Sequence, residues 1–357
     1  MVSIYSKPVT IKSLSYRNAL LQSMSNALSQ HSHVIIMGQG VDDHKGTFGS
    51  TLGLAEKYGK MRVFDIPLSE EGNTGMAVGA ALNGVYPIQT HIRTDFSLLA
   101  MSQIVNMAAK YKYMYGGHFN VPMLIRLIIG RSWGQGAQHS QSLQSLFAHI
   151  PGLQVIMPSN AYSIMSSYDY AVNHYKGPVI SFEHRILYDI EFNENVVYDA
   201  DPFNSKKVRE GSDVTIVATS IMVIEALRAA DYVQKTLNLN CEIIDLHSVS
   251  HMDKKLILDS VKKTGKLFVA DTSWQAYGVA AEISRLICEE DPSILKAAVV
   301  SIGMQPAPCP TTQSLEKLFY PSIYDFISKL TFLITGKTHI PDENKISEGY
   351  KKFKGPF

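Results

Sequence analysis

Three cysteines in 357 residues are too few to build a disulfide framework. Cys241, Cys288 and Cys309 are far apart and form no CxxC pair, so the chain reads as one for a reducing, cytoplasmic compartment with buried thiols. Charge of one sign is lacking as well. Lys plus Arg number 33 against 32 Asp plus Glu, which argues against a nucleic-acid surface or an electrostatic membrane anchor. Long apolar runs are missing: the longest, Val121 to Gly130, is broken by Arg126 and is too short to span a bilayer. Met1 to Leu14 carries no apolar secretory core, so no export signal is expected. The compact catalytic motifs are absent too. Gly72, Gly75, Gly79 and Gly84 have the wrong spacing for GxGxxG, and there is no GK[ST] phosphate loop. HExxH, zinc-type Cys/His spacing and the GxSxG elbow are also missing, so no metal ligand is assigned.

What is present is alternation. A composition of 45% hydrophobic and 18% charged residues is that of a globular protein, and the length points to two unequal domains. Short apolar runs at 33–38, 62–67, 87–92, 123–130, 153–158 and 178–183 read as strands covered on both faces. Helical stretches at 15–30, 72–82, 97–115 and 160–175 separate them. A second set follows, with strands at 213–220, 241–246, 266–271 and 297–303 and a last helix near 312–330. This predicts an α/β protein of two doubly wound domains. The expected divisions are 1–190, a polar linker 191–211, a second domain 212–334, and a polar tail 335–357 that is solvated or packs Tyr350, Phe353 and Phe357 on a partner.

Three features of the first domain follow the ends of predicted strands. Glu70 comes after RVFDIP, Phe96 after PIQTHI, and His139 in the glycine-rich loop GRSWGQGAQHSQ after MLIRLIIG. Ligands of open α/β sheets bind at the carboxyl edge of the strands, so a carboxylate, a ring and an imidazole are expected to converge. Each also has a plainer reading. Ser69 is a candidate helix cap with Glu70 and Glu71 complementing the dipole. Phe96 by itself reads as core, His139 as a surface histidine, and the glycines of 72–84 as a means of close helix–sheet packing.

Together, LSEEGNTGMAVGAALNGVYPI, AQHSQSL followed by PGLQVIMPSN, GPVISFEH, DTSWQAYGVAAEI and PAPCPTTQSLEKLFYPS make a resemblance. From about Ile11 to Leu330 the chain resembles the beta subunits of the thiamine-diphosphate-dependent first component of 2-oxoacid dehydrogenase complexes, the pyruvate, branched-chain and acetoin type. The resemblance implies a thiamine-pyrimidine-binding domain followed by a transketolase C-terminal-like domain. It implies that Glu70 binds the aminopyrimidine ring of the cofactor, that Phe96 stacks on it, and that His139 lines the substrate side. A glutamate in an apolar, small-residue pocket is expected to have a raised pKa, which suits it to hold and return the proton that shifts the aminopyrimidine to its reactive tautomer. Gly72, with Gly75 and Gly79, is expected to let backbone and ring approach closely.

The family's GDG motif, which holds the diphosphate through Mg2+, is absent from all 357 residues. The resemblance therefore implies a separate alpha subunit that supplies this half of the site, in a heterotetramer of two alpha and two beta subunits, with a lipoyl-bearing acyltransferase as a further partner. Trp274 and Tyr277 are candidate interface anchors or core residues.

The chain departs from the family at Gln39, where an acid is usual. It departs again at His247 and His251 in DLHSVSHMD, and at Lys176 in NHYKGPV, where the family's potassium turn is poorly kept. Arg93 and Asp95 suggest a more polar acyl substrate. The leading expectation is oxidative decarboxylation of a 2-oxo acid with acyl transfer to a lipoyl domain. The alternatives are a carboligating, transketolase-like transferase using the same cofactor, or a non-catalytic assembly partner.

Overall fold

The computed structural model describes residues 13–130, 134–192 and 201–346. In chain order the elements are β1 (Leu14–Ser15), α1 (Tyr16–Gln30), β2 (Val34–Gly38), α2 (Leu54–Tyr58), β3 (Val63–Phe64), α3 (Glu70–Leu82), β4 (Tyr86–His91), α4 (Tyr111–Met114), β5 (Met123–Ile129), α5 (Gln144–Ala148), β6 (Gln154–Ile156), α6 (Ala161–Asn173), β7 (Pro178–His184) and β8 (Glu191–Phe192). There follow β9 (Lys206–Arg209), β10 (Val214–Ala218), α7 (Ile221–Leu237), β11 (Cys241–Asp245), α8 (Lys254–Thr264), β12 (Leu267–Trp274), α9 (Val279–Glu290), β13 (Val300–Met304), α10 (Gln313–Phe319) and α11 (Ile323–Thr335).

Two compact units share these elements. Among the described residues, the first comprises 13–129, 147–192 and 201–203, and the second 130, 134–146 and 204–346. The first is built on a six-stranded sheet of order β3-β2-β4-β5-β7-β6, parallel throughout. Every residue of β4, β5 and β7 is buried, as strands covered by helices on both faces require. The second unit has a five-stranded sheet of order β13-β12-β10-β11-β9, with only β9 antiparallel.

One ion pair sits inside the first core. Arg126 on β5 and Glu183 on β7 are both fully buried and bond in bidentate fashion, Nε to Oε1 at 2.6 Å and Nη2 to Oε2 at 2.8 Å. The remaining guanidinium hydrogens reach Thr90 Oγ1 at 3.3 Å and Ser50 Oγ at 3.0 Å, while the Tyr168 and Tyr188 hydroxyls donate to the carboxylate. Burial pulls the Arg126 pKa down, but the adjacent Glu183 charge outweighs it and the net direction is up.

Three segments differ from the sequence expectation. Residues 97–115 do not form one helix: a 3-10 turn (Thr94–Ala100) leads into a π-type run (Ser102–Ala108) and then α4. The Ser97 hydroxyl bonds back to the Thr94 carbonyl at 2.6 Å, which tightens the first turn. The closing helix is two helices, because Pro321 has no amide hydrogen and Ser322 starts α11 with a reciprocal cap to Asp325. Of the stretch 191–211, Glu191–Phe192 pairs with β1, Lys206–Arg209 pairs with β11, and 193–200 lie outside the described residues.

After α11 the chain stays against the second unit. His339 meets the Tyr232 hydroxyl at 3.0 Å, and the Asp342 amide donates to the same oxygen at 2.9 Å. Tyr350, Phe353 and Phe357 lie outside the described residues.

Candidate active site

α3 is the helix that presents Glu70. Its buried face is Asn73, Thr74, Ala77, Val78 and Ala81, a stripe of small side chains at helical spacing. Ser69 occupies the N-cap position, but its hydroxyl makes no capping bond, so the capping reading is not realised. The two glutamates of the first turn then diverge. Glu71 accepts a hydrogen bond from Gln103 Nε2 at 3.2 Å. Glu70 turns into a cleft instead, half-buried, with no hydrogen bond from the described residues.

That cleft is narrow and lies outside the carboxyl ends of β2, β3 and β4. β2 and β4 are neighbours, but the chain leaves β2 toward β3 on one side and β4 toward β5 on the other. The cleft is therefore at the topological switch point, where open α/β sheets bind ligands. Its floor is held by two local devices. The Asp65 carboxylate accepts from the Gly40 amide at 3.0 Å, tying the loop after β2 to the end of β3. At Gly38 a Cβ would stand 2.6 Å from the Thr90 carbonyl oxygen, so only glycine lets β2 reach the cleft beside β4.

Phe96 shares the lining with Glu70 and is 36% exposed, so it is not the core residue of the plainer reading. Gln39 and Arg93 line the cleft as well, and Arg93 is buried. Among the lining residues that sequence reasoning did not single out is His91. It is 6% exposed, and its Nε2 is buried with no hydrogen-bond partner among the described residues. Burial pulls its pKa down to about 4, so the imidazole is neutral. The available signal was the run Gln89–Thr90–His91, three polar side chains closing a strand that opens Tyr-Pro-Ile.

Gly72 is exposed in the first turn of α3 and does not line the cleft. A Cβ at Gly79 would meet nothing within 4 Å, so close packing inside this unit does not require glycine there.

His139 is not among the lining residues of the Glu70 cleft. It lies half-buried in the excursion 130–146, which belongs to the second unit. That segment is tied down by side chains far along the chain. Gln144 Nε2 donates to Asp271 Oδ1 at 2.8 Å, and the Ser142 hydroxyl pairs with Thr272 Oγ1 at 3.0 Å. Tyr320 holds Ser140 by a side-chain hydrogen bond. Asp271 is itself buried and accepts also from Thr219 Oγ1 at 2.6 Å, Ser273 Oγ at 2.6 Å and the Thr272 amide at 2.8 Å. Removing the Gln144 amide deletes a charge-assisted bond. Gln144→Leu is expected to raise local opening of residues 134–143 by roughly 10–100-fold, read as faster amide exchange there and not in β5 or β7. Unchanged exchange would reject the anchoring role.

In the second unit Trp274 packs beside Met304, Cys309 and Phe319, and its indole N–H donates to the Ala307 carbonyl at 3.2 Å. Tyr277, by contrast, is 96% exposed in a left-handed backbone conformation, φ +55°.

Residues 12–191 match the family model of the transketolase pyrimidine binding domain, and residues 204–324 that of the transketolase C-terminal domain. The pyruvate dehydrogenase E1 component subunit beta of Rickettsia bellii (strain RML369-C) is 38% identical over 316 residues, covering 88% of this chain and 97% of the relative. The mitochondrial pyruvate dehydrogenase E1 component subunit beta-1 of Arabidopsis thaliana is 36% identical, covering 92% and 91%. The acetoin:2,6-dichlorophenolindophenol oxidoreductase subunit beta of Cupriavidus necator is 35% identical, covering 92% and 99%. Among solved structures, a split-gene transketolase described as an inactive beta4 tetramer superposes with a TM-score of 0.74 at 20% identity, over 90% of this chain and 99% of that one, a likeness of fold.

Proposed function

We propose, because this chain belongs to the transketolase-like family of 2-oxoacid dehydrogenase first-component beta subunits, that it is the pyrimidine-binding half of a thiamine-diphosphate active site completed by an alpha subunit. The observation that carries this reading is the shared cleft of Glu70 and Phe96 at the switch point of the first sheet. The residues present fit a flat, polar heterocycle: a carboxylate without a partner among the described residues, a partly exposed aromatic ring, and a buried imidazole nitrogen with no hydrogen-bond partner among the described residues. When bound, the cofactor supplies a carbon nucleophile for the oxo group and an acceptor for the electron pair left by carbon dioxide. Glu70 hydrogen-bonds a ring nitrogen and holds or returns a proton there. Phe96 fixes the ring plane by offset stacking, worth about 0.5–1.5 kcal/mol beyond area burial. His139 acts as acid or base toward the substrate, or orients its carboxylate.

This chain has no GDG motif, so Mg2+ and the diphosphate fall to the alpha subunit, and transfer of the acyl group to a lipoyl domain is part of the proposal. Three free thiols are in keeping with a cytoplasmic setting, and among the described residues no helix is long and apolar enough to cross a membrane. The alternative of a more polar donor or acceptor, an aldehyde or a sugar, draws support from buried Arg93 in the cleft wall.

The test is co-expression with a GDG-bearing alpha subunit and assay of a panel of 2-oxo acids with dichlorophenolindophenol as electron acceptor. Turnover is expected only with both subunits and the cofactor. An assembled complex inert toward every acid would favour a scaffold, and activity without reduction of a lipoyl domain would favour the carboligating alternative.

A further inference from the structure

Strand alternation in β4 carries one step more, resting on the cofactor reading above. Gln89 faces α3, donating from Nε2 to Thr74 Oγ1 at 2.9 Å. Thr90 faces the opposite side of the sheet, accepting from Arg126 at 3.3 Å. The two-residue period returns His91 to the α3 face, whose N-terminal end bears Glu70. His91 lines the same cleft, is nine-tenths buried, and leaves Nε2 without a partner among the described residues. Buried polar atoms are nearly always hydrogen-bonded, so such an orphan at a cleft wall points to a bound group that completes it.

The chemistry narrows that group. An anionic 2-oxo acid would be matched by a cationic imidazole, which burial opposes, whereas a neutral nitrogen heterocycle is matched by a neutral imidazole, donor or acceptor according to its tautomer. We propose that His91 is a third ring-contacting residue of the Glu70 cleft, hydrogen-bonding through Nε2 to the aminopyrimidine that Glu70 and Phe96 hold.

The experiment titrates thiamine diphosphate, in the presence of Mg2+, into the assembled alpha–beta complex by calorimetry. Melting of the cofactor-free complex is recorded alongside. His91→Phe is expected to weaken binding about tenfold, equivalent to about 1.4 kcal/mol, with the cofactor-free melting temperature unchanged or higher. His91→Gln places an amide nitrogen where Nε2 stands and is expected to stay within about threefold of the unmodified complex. His91→Met serves the same comparison if the phenylalanine variant does not assemble. An apolar variant that binds the cofactor as tightly as the unmodified complex overturns the inference. So does assembly of the glutamine variant alone, which would make His91 a structural residue. An unmodified complex that binds no thiamine diphosphate overturns the cofactor reading and this inference with it.

Discussion

Glu70→Gln in the assembled alpha–beta complex is expected to cut turnover by roughly 10²–10⁴-fold while leaving assembly intact. Glutamine keeps the shape and can still hydrogen-bond a ring nitrogen, but it cannot exchange a proton with it. Assembly is insensitive because Glu70 is half-buried and accepts no hydrogen bond from the described residues. Its remaining structural contribution, a negative charge in the first turn of α3, is worth about 0.3–1 kcal/mol. The control is next door. Glu71 carries the same dipole charge but is turned to Gln103, so Glu71→Gln is expected to leave turnover within a few-fold of the unmodified complex. Steady-state rates of both variants at saturating cofactor decide the matter, and a Glu70→Gln complex as active as the control would remove the carboxylate from the mechanism.

The second large effect is on stability. Arg126→Met leaves the fully buried Glu183 carboxylate without its bidentate partner, and breaking such a pair from one side costs about 3–5 kcal/mol. That corresponds to a fall in unfolding temperature on the order of 10 °C. The Tyr168 and Tyr188 hydroxyls, whose pKa values are raised by burial and then by the Glu183 charge, stay protonated and continue to donate, which limits the loss without cancelling it. Replacing both partners, Arg126→Met with Glu183→Leu, is expected to recover most of the deficit, because the desolvation of two ions is relieved together. Calorimetric melting of the three proteins checks this. A double variant no better than the single one would mean that the hydroxyl network, more than the charge pair, holds the site.

Most of the strands were legible because parallel strands buried on both faces leave a plain mark, a short apolar run such as MLIRLIIG or GPVISFE. Arg126 and Glu183 are each a lone charge inside such a run, but nothing in the sequence pairs them. Glu70 and Phe96 were singled out by their place after strand ends, and both line one cleft. Other features leave no local mark. The stretch 97–115 reads as one helix, and its change of hydrogen-bond pattern follows from turn geometry that periodicity does not record. β9 hid in a polar stretch because an edge strand is wet on one side, with alternate residues half-buried at best. His91 closes β4 after two other polar residues, and only the pairing of Thr90 with Arg126 and of Gln89 with Thr74 tells which way it faces. The assignment of 130–146 to the second unit depends on partners that no window of sequence contains.

That last feature bears on how the polypeptide matures. Gln144 emerges from the ribosome 127 residues ahead of Asp271, its hydrogen-bond partner. At translation speeds of roughly 5–20 residues per second, the histidine-bearing segment waits on the order of 10 s for its anchor, long after β2 to β5 can have paired. A gene fragment ending near residue 200 would therefore encode the parallel sheet and the Glu70 cleft but leave His139 on an untethered strap. Complementing the two halves in trans would have to rebuild the Gln144–Asp271 link before the His139 segment is held.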